Sequence, residues 1–185
     1  AHPTAYLDAA GAATTSGTSS IVDPAVTAVN STALLIAYYA SHATSSPVPV
    51  AGTASGMTQV RNLSVVSGAP ASDVEIDSQA LAAAGSTGTR TSTVSPAAAS
   101  ASGFAFTIAP GSAPAAAPVA QTGAGNVTTA TVTASAVLRC AKPANVADGD
   151  VLMALVYTHN SGSLYGTTPP GWTQVGATVL TAGTL

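Results

Sequence analysis

One sequence pattern occurs twice in this chain of 185 residues. The segment VNSTALLIAYYASH at residues 29–42 returns as VADGDVLMALVYTH at residues 146–159, which is 117 positions later. A second pair agrees, because GMTQV at residues 56–60 returns as GWTQV at residues 171–175, which is 115 positions later. Solenoid repeats span about 20–50 residues, so a repeat of this length indicates a whole domain.

The repeat predicts two homologous domains joined by a short linker. Residues 1–112 hold a complete copy, residues 113–117 form a Pro/Ala linker, and residues 118–185 hold the first part of a second copy. The prolines in and beside the linker favour an extended, semi-rigid spacer. We therefore expect a modular, extended protein of which this chain is a piece.

Short apolar runs bounded by turn residues predict β-strands in both copies. Residues 33–39 and 151–157 are such runs, and clusters rich in Asp, Asn, Ser and Gly flank them. Further strands are predicted at residues 89–94, 104–108 and 127–134, and turn signals recur at short intervals. The predicted fold class is all-β, with tandem antiparallel β-sandwich domains of jelly-roll or Ig-like type, the second copy being incomplete.

Charged residues are scarce, at 6% of the chain against roughly 25% in ordinary globular proteins. The four basic residues are scattered and the net charge is −3, so we expect no nucleic-acid partner. No apolar stretch is long enough to span a membrane, and the first residues do not resemble a signal peptide. We expect synthesis and folding in a cytoplasm, with a signal already removed as the alternative. Low charge also predicts association into a trimer or an array.

The second copy carries VADGDVLMALVYTHN at residues 146–160 and TPPGWTQVG at residues 168–176. It resembles a β-sandwich repeat module of bacteriophage virion fibre and decoration proteins and of some bacterial surface proteins. The pattern of that module is a Gly-Asp turn, a run of aliphatic residues, and then Pro-Pro-Gly-Trp-Thr. The first copy departs from it, since residues 30–32 (Asn-Ser-Thr) replace the turn and Met57 stands where Trp172 stands. The resemblance implies a virion or surface module and no enzymatic activity.

The repeat, the linker and the resemblance together predict a non-enzymatic phage virion structural protein, either a head or tail fibre or a capsid decoration. Its N-terminal domain is expected to anchor to the particle while later repeats project. The expected partners are other virion proteins of the capsid, neck or tail, identical chains, and a host surface glycan. The alternative is a secreted bacterial adhesin or carbohydrate-binding module, located outside the cell or on its surface.

Few residues in this sequence form a pattern typical of a catalytic or binding site. No catalytic, cofactor-binding or metal-binding residue is predicted. Asp73, Glu75 and Asp77 alternate along the sequence and so share one face of an extended segment. A calcium site or an acid–base carboxylate pair would use such residues, but a solvated edge strand whose charges block edge-to-edge pairing is the simpler interpretation. Tyr165 and Trp172 are the candidate ligand contacts, because aromatic faces stack on sugar rings.

Three further features have structural interpretations. His42 and His159 follow the long apolar runs at equivalent positions and are interpreted as loop histidines rather than as a ring that binds an ion. Cys140 is interpreted as a small, half-buried hydrophobic residue on a strand. Residues 77–84 (DSQALAAA) are too short for a stable helix and are interpreted as a loop or a single helical turn.

Overall fold

The fold is described from a computed structural model. The model describes residues 7–12, 14–16, 19–65, 71–109, 128, 139–146, 150–154 and 170–172. Within these ranges all of the regular secondary structure is β, and the strands are, in chain order, β1 (Leu7–Ala10), β2 (Thr14–Ser16), β3 (Ser20–Asp23), β4 (Thr27–Ala28), β5 (Leu34–Ala43), β6 (Val50–Ala51), β7 (Thr58–Val65), β8 (Ala71–Ala80), β9 (Gly85–Ser86), β10 (Arg90–Ser95) and β11 (Ser100–Ile108). The all-β class predicted from the sequence is confirmed.

The strands form two main sheets, and all of the described strand pairs are antiparallel. The large sheet has the order β1-β11-β5-β8-β7, with β2 also pairing β11, and the small sheet has the order β3-β10-β6. A separate short ladder joins β4 and β9. The centre of the large sheet is β5, which pairs with β11 on one side and with β8 on the other along almost its whole length.

The continuous apolar sequence of β5 follows from its position. A strand that is covered on both faces tends to read as an unbroken apolar run, because neither set of alternating side chains meets water. All ten residues of β5 are buried. In contrast, β10 in the small sheet alternates between buried and exposed side chains, because its outer face meets solvent.

The first face of the large sheet packs against the small sheet. Leu35, Ala37 and Tyr39 of β5 share one apolar cluster with Ile21 of β3 and Val94 of β10. We call this region the two-sheet core. The two sheets approach closely at Gly103 of β11, the cross-strand partner of Tyr39. A Cβ atom at this glycine would lie 2.0 Å from Asp23 Oδ1 and 2.8 Å from Ile21 Cγ2, so no larger residue fits without movement.

The second face of the large sheet is also apolar. Its cluster consists of side chains from the large sheet itself: Leu34, Ile36, Ile76, Phe104, Phe106 and Ile108. The rings of Phe104 and Phe106 are stacked, with centroids 5.8 Å apart and an interplanar angle of 30°. The large sheet therefore has two packing surfaces, of which the small sheet covers one.

Several sequence predictions can be checked directly. The strands predicted at residues 33–39, 89–94 and 104–108 are confirmed as parts of β5, β10 and β11. The interpretation of residues 77–84 as a loop or helical turn is wrong for its first four residues, which complete β8. They are strand because β5 and β7 both pair with β8 there.

In the second copy, the strand predicted at residues 151–157 is not formed over residues 151–154, which carry no strand assignment and are exposed. The linker at residues 113–117 lies outside the described part of the chain, as does nearly all of the predicted strand at residues 127–134. The tandem arrangement of two β-sandwich copies therefore stays a prediction.

Candidate functional site

The three alternating carboxylates predicted to lie on an edge strand are instead in the interior. Their strand, β8, lies between β5 and β7, and Asp73, Glu75 and Asp77 are each 0% exposed. Their cross-strand partners on β5 include Ser41 and Tyr39, so the carboxylates face the two-sheet core. The interpretation as a solvated edge strand is therefore wrong, because the pairing of β7 with β8 makes β8 internal.

A fourth buried carboxyl group comes from the small sheet. Asp23 ends β3, is 0% exposed, and lies close enough to Asp77 for the two charges to interact. Neither Oδ1 nor Oδ2 of Asp23 has a hydrogen-bond partner. Burial, and then the nearby charge of Asp77, raise the pKa of Asp23 to about 8. The sequence feature that could have identified Asp23 is its place at the end of a short apolar segment, just before a proline.

Asp73 is the best supplied with hydrogen-bond donors. Its Oδ2 accepts from the backbone N of Ala51 at 2.8 Å and from Asn62 Nδ2 at 3.2 Å, and its Oδ1 accepts from Ser64 Oγ at 2.5 Å. Burial raises the pKa of Asp73, and the three hydrogen bonds offset only part of that effect. This carboxyl group connects β8 to β7 and to the small sheet.

Glu75 and Asp77 form a pair of interacting carboxyl groups. Gln59 Nε2 donates to both oxygens of Glu75, at 2.9 and 3.0 Å, and the backbone N of Ala54 donates to Asp77 Oδ2 at 2.7 Å. Asp77 Oδ1 has no donor while both groups are ionised, whereas a proton on Glu75 allows a hydrogen bond between the two side chains. Burial, and then this hydrogen bond, raise the pKa of Glu75 to about 7; burial also raises the pKa of Asp77.

Arg90, a cation beside these carboxyl groups, does not neutralise them. Arg90 is the cross-strand partner of Asp23, but its Nη2 donates to Gln79 Oε1 at 2.6 Å and its Nη1 to the carbonyl of Thr89 at 3.1 Å. Its Nε is buried without a partner. The carboxyl groups therefore lie in the core without a guanidinium bonded to Asp23.

Tyr39 completes the group, which we call the carboxyl cluster: Asp23, Tyr39, Asp73, Glu75 and Asp77. The Tyr39 hydroxyl is buried and makes no hydrogen bond. Burial, and then the charges of Asp23 and Asp77, raise the pKa of Tyr39, so the phenol stays protonated. It is a donor held beside acidic groups that are short of donors.

The carboxyl cluster is enclosed, and this limits its chemistry. Every one of its five side chains is 0% exposed, so a substrate from solvent has no access to them. Across the described residues, no three or more His, Cys, Asp or Glu side chains are arranged to hold a metal ion. The arrangement can bind and release protons, which is the chemistry that buried carboxyl groups with raised pKa values provide.

The predicted ligand contacts fall in the second copy. Trp172 is 44% exposed and follows Gly171, which has a φ of 83°. Tyr165 lies outside the residues that the structure describes.

The interpretations of His42 and Cys140 are wrong. His42 is buried within β5, on the second face of the large sheet, because the strand runs four residues beyond the predicted apolar run. Cys140 is exposed and has no strand assignment. His159 is outside the described residues.

The chain matches no protein-family model, no curated protein and no solved structure. Within the described ranges, the structure contains no helix long and apolar enough to cross a membrane. The functional assignment therefore depends on the sequence pattern and on the packing of the two sheets.

Proposed function

We propose that this chain is a non-enzymatic structural protein of a bacteriophage virion, a head or tail fibre or a capsid decoration. Its N-terminal domain anchors to the particle and later repeats project from it. Tandem β-sandwich domains, with an incomplete second copy in residues 118–185, are part of the proposal. The observation that carries it is the large sheet with two apolar faces.

A sheet with two apolar faces needs a layer on each of them. The small sheet supplies one layer, and the apolar residues of the second face are also buried, at 0 to 9% exposed: Leu34, Ile36, Phe104, Phe106 and Ile108. Aromatic residues such as Phe104 and Phe106 are typical of surfaces that hold protein layers together. Both faces of the large sheet are therefore covered, as is typical of a layered, modular protein.

The composition supports the same conclusion. With four basic and seven acidic residues in 185, the chain has few charges to keep copies apart or to protect strand edges. Stable oligomers usually close symmetrically, so the proposed partners are identical chains in a trimer or array, together with capsid, neck or tail proteins. The enclosed carboxyl cluster supports a structural role, since its side chains are out of reach of a substrate.

The test is the protein composition of purified virions. Particles from a phage that encodes this chain should contain it by mass spectrometry, and antibodies against the chain should label the head, neck or tail in electron micrographs. The protein's absence from purified particles, with its presence in the lysate, would overturn the proposal. Light scattering of the 185-residue chain should give the mass of an oligomer.

A secreted bacterial adhesin or carbohydrate-binding module is the second candidate, and the exposed ring of Trp172 favours it. It predicts a signal sequence encoded upstream of Ala1 and binding to a glycan array that Trp172→Ala abolishes. Val29→Ala is the matched control, because Val29 is also exposed and apolar but carries no ring that could stack on a sugar.

A further inference from the structure

We infer that the carboxyl cluster makes the fold of this domain pH-dependent, because Asp23, Glu75 and Asp77 take up protons on folding and the domain loses stability when they are forced to ionise. Asp23 comes from the small sheet and the other two from the large sheet, and all are 0% exposed. Ionising them inside the core therefore strains the contact between the sheets.

Asp23 and Asp77 are short of hydrogen-bond donors. An ionised carboxylate in a protein interior needs donors on both oxygens, and burial without them strongly favours the neutral form. Asp23 has no donor, and Asp77 has one on Oδ2 alone. The Tyr39 hydroxyl is unused, and a protonated Glu75 can donate to Asp77. Protonation therefore turns Glu75 from an acceptor that repels Asp77 into its hydrogen-bond donor, and it removes the charge of Asp23 from a site without donors.

Of the described residues around the carboxyl cluster, most are uncharged. From β10, Arg90 faces Asp23 but donates to Gln79 and Thr89. Arg61 of β7 is exposed and pairs with Ile76, which belongs to the second face. The groups that the packed elements direct at the cluster are otherwise neutral side chains or backbone: Ser41 of β5, Ala51 of β6, Thr53 and Ala54 of the following loop, Gln59, Asn62 and Ser64 of β7, Ser92 of β10 and Gly103 of β11.

The direction of the effect follows from linkage. Burial raises the pKa of Asp23 to about 8 and that of Glu75 to about 7, whereas in an unfolded chain these groups ionise near pH 4. Between about pH 4 and pH 8 the folded state therefore binds more protons than the unfolded state, and the free energy of unfolding falls as the pH rises. Stability from these groups is complete in acid and is lost as the pH passes through the raised pKa values.

The experiment is urea denaturation of the 185-residue chain at a series of pH values between about 4 and 8, followed by the near-ultraviolet circular dichroism of tyrosine. For each carboxyl group that is protonated only in the folded state, the unfolding equilibrium constant should rise about tenfold per pH unit. Asp23→Asn keeps the shape of the neutral acid and cannot ionise. It should lower this slope by about one proton and make the chain more stable than the parent at the alkaline end. Asp23→Asn destabilising the chain there would overturn the inference, as would stability that rises with pH.

Asp8→Asn is the matched control. Asp8 accepts hydrogen bonds at the surface from Val29, Asn30 and Thr107, and its pKa is lowered because these bonds outweigh the effect of burial. Its replacement should leave the alkaline loss of stability in place.

Two measurements keep the inference testable if Asp23→Asn does not fold. The carboxyl carbon resonances of the unsubstituted protein, labelled with carbon-13 in Asp and Glu, should show neutral Asp23 and Glu75 well above pH 5, and ionised resonances there would contradict the proposal. The denaturation series should also be unchanged by Ca²⁺ or by a chelator. Recovery of alkaline stability with Ca²⁺ would show that a cation, and not protons, neutralises the cluster.

Discussion

Residues 34–37 and residues 151–154 are equivalent in the sequence repeat, but they differ in structure. Leu34, Leu35 and Ile36 lie in β5 and are 0 to 6% exposed, whereas Val151, Leu152 and Met153 carry no strand assignment and are about 40% exposed. Both stretches are apolar to a similar extent. Local sequence therefore does not decide between them.

The difference is one of strand partners. The hydrogen bonds of β5 go to β8 on one side and β11 on the other. Residues 151–154 carry no strand assignment in the described part of the chain, and an apolar segment needs neighbouring strands to satisfy its backbone groups and to pack its side chains. An apolar run alone is therefore not enough to form a buried strand.

The largest expected effect is on hydrogen exchange. Backbone amides of β5 are bonded in the centre of the large sheet and should open only with global unfolding, which slows their exchange by roughly 10³-fold or more. Amides of residues 151–154 should exchange almost as in a free peptide. Exchange followed by mass spectrometry measures both in one sample, and equal protection of the two segments would break the comparison.

A matched pair of leucines tests the same comparison through packing. Leu35→Ala removes a fully buried side chain from the two-sheet core and should lower the free energy of unfolding by about 2–5 kcal/mol. Leu152→Ala, at the equivalent position, should change it by less than about 0.5 kcal/mol. Urea denaturation gives both values. A similar cost at the two sites would mean that residues 151–154 are packed.

The close contact at Gly103 allows a test of how tightly the two sheets pack over β5. Gly103→Ala places a methyl group against Asp23 and Ile21 and should destabilise the chain by about 1–3 kcal/mol. Gly52→Ala is the control, since the nearest atom, Thr93 Oγ1, would be 3.4 Å away. Thermal denaturation should separate the two variants, and equal midpoints would show that the sheets can move apart at little cost.

The smallest expected effect concerns the turn that leads into β5. Asp8 accepts from the backbone N of Val29 at 2.9 Å and from that of Asn30 at 3.1 Å. Asp8→Asn should cost about 1 kcal/mol at neutral pH. Since the pKa of Asp8 is lowered, the ionised form stabilises the fold above about pH 4, and the difference from the parent should vanish as the pH falls below that value. A difference that persists in acid would contradict this assignment.

Local signals were enough to predict β5, β10 and β11 but not the face that β8 buries. In residues 73–77 (DVEID), acidic and apolar residues alternate, so preference for water places Val74 and Ile76 inside. The structure buries the acidic residues, while Val74 and Ile76 are half-buried. Donors from β7, β6 and the loop that follows β6 make this arrangement feasible, and they are distant in sequence. Asp23 was missed for the same reason, since its neighbours come from other strands.

The pairing of β1 with β11 has a mechanical consequence. Leu7 lies opposite Ile108, so the chain enters and leaves this domain at the same end of one antiparallel ladder. The hydrogen bonds of such a ladder run perpendicular to the strands. A pulling force applied through the start of β1 and the end of β11 therefore breaks the hydrogen bonds of this ladder one after another. Under tension, β1 detaches first, and the domain extends before its core is disturbed.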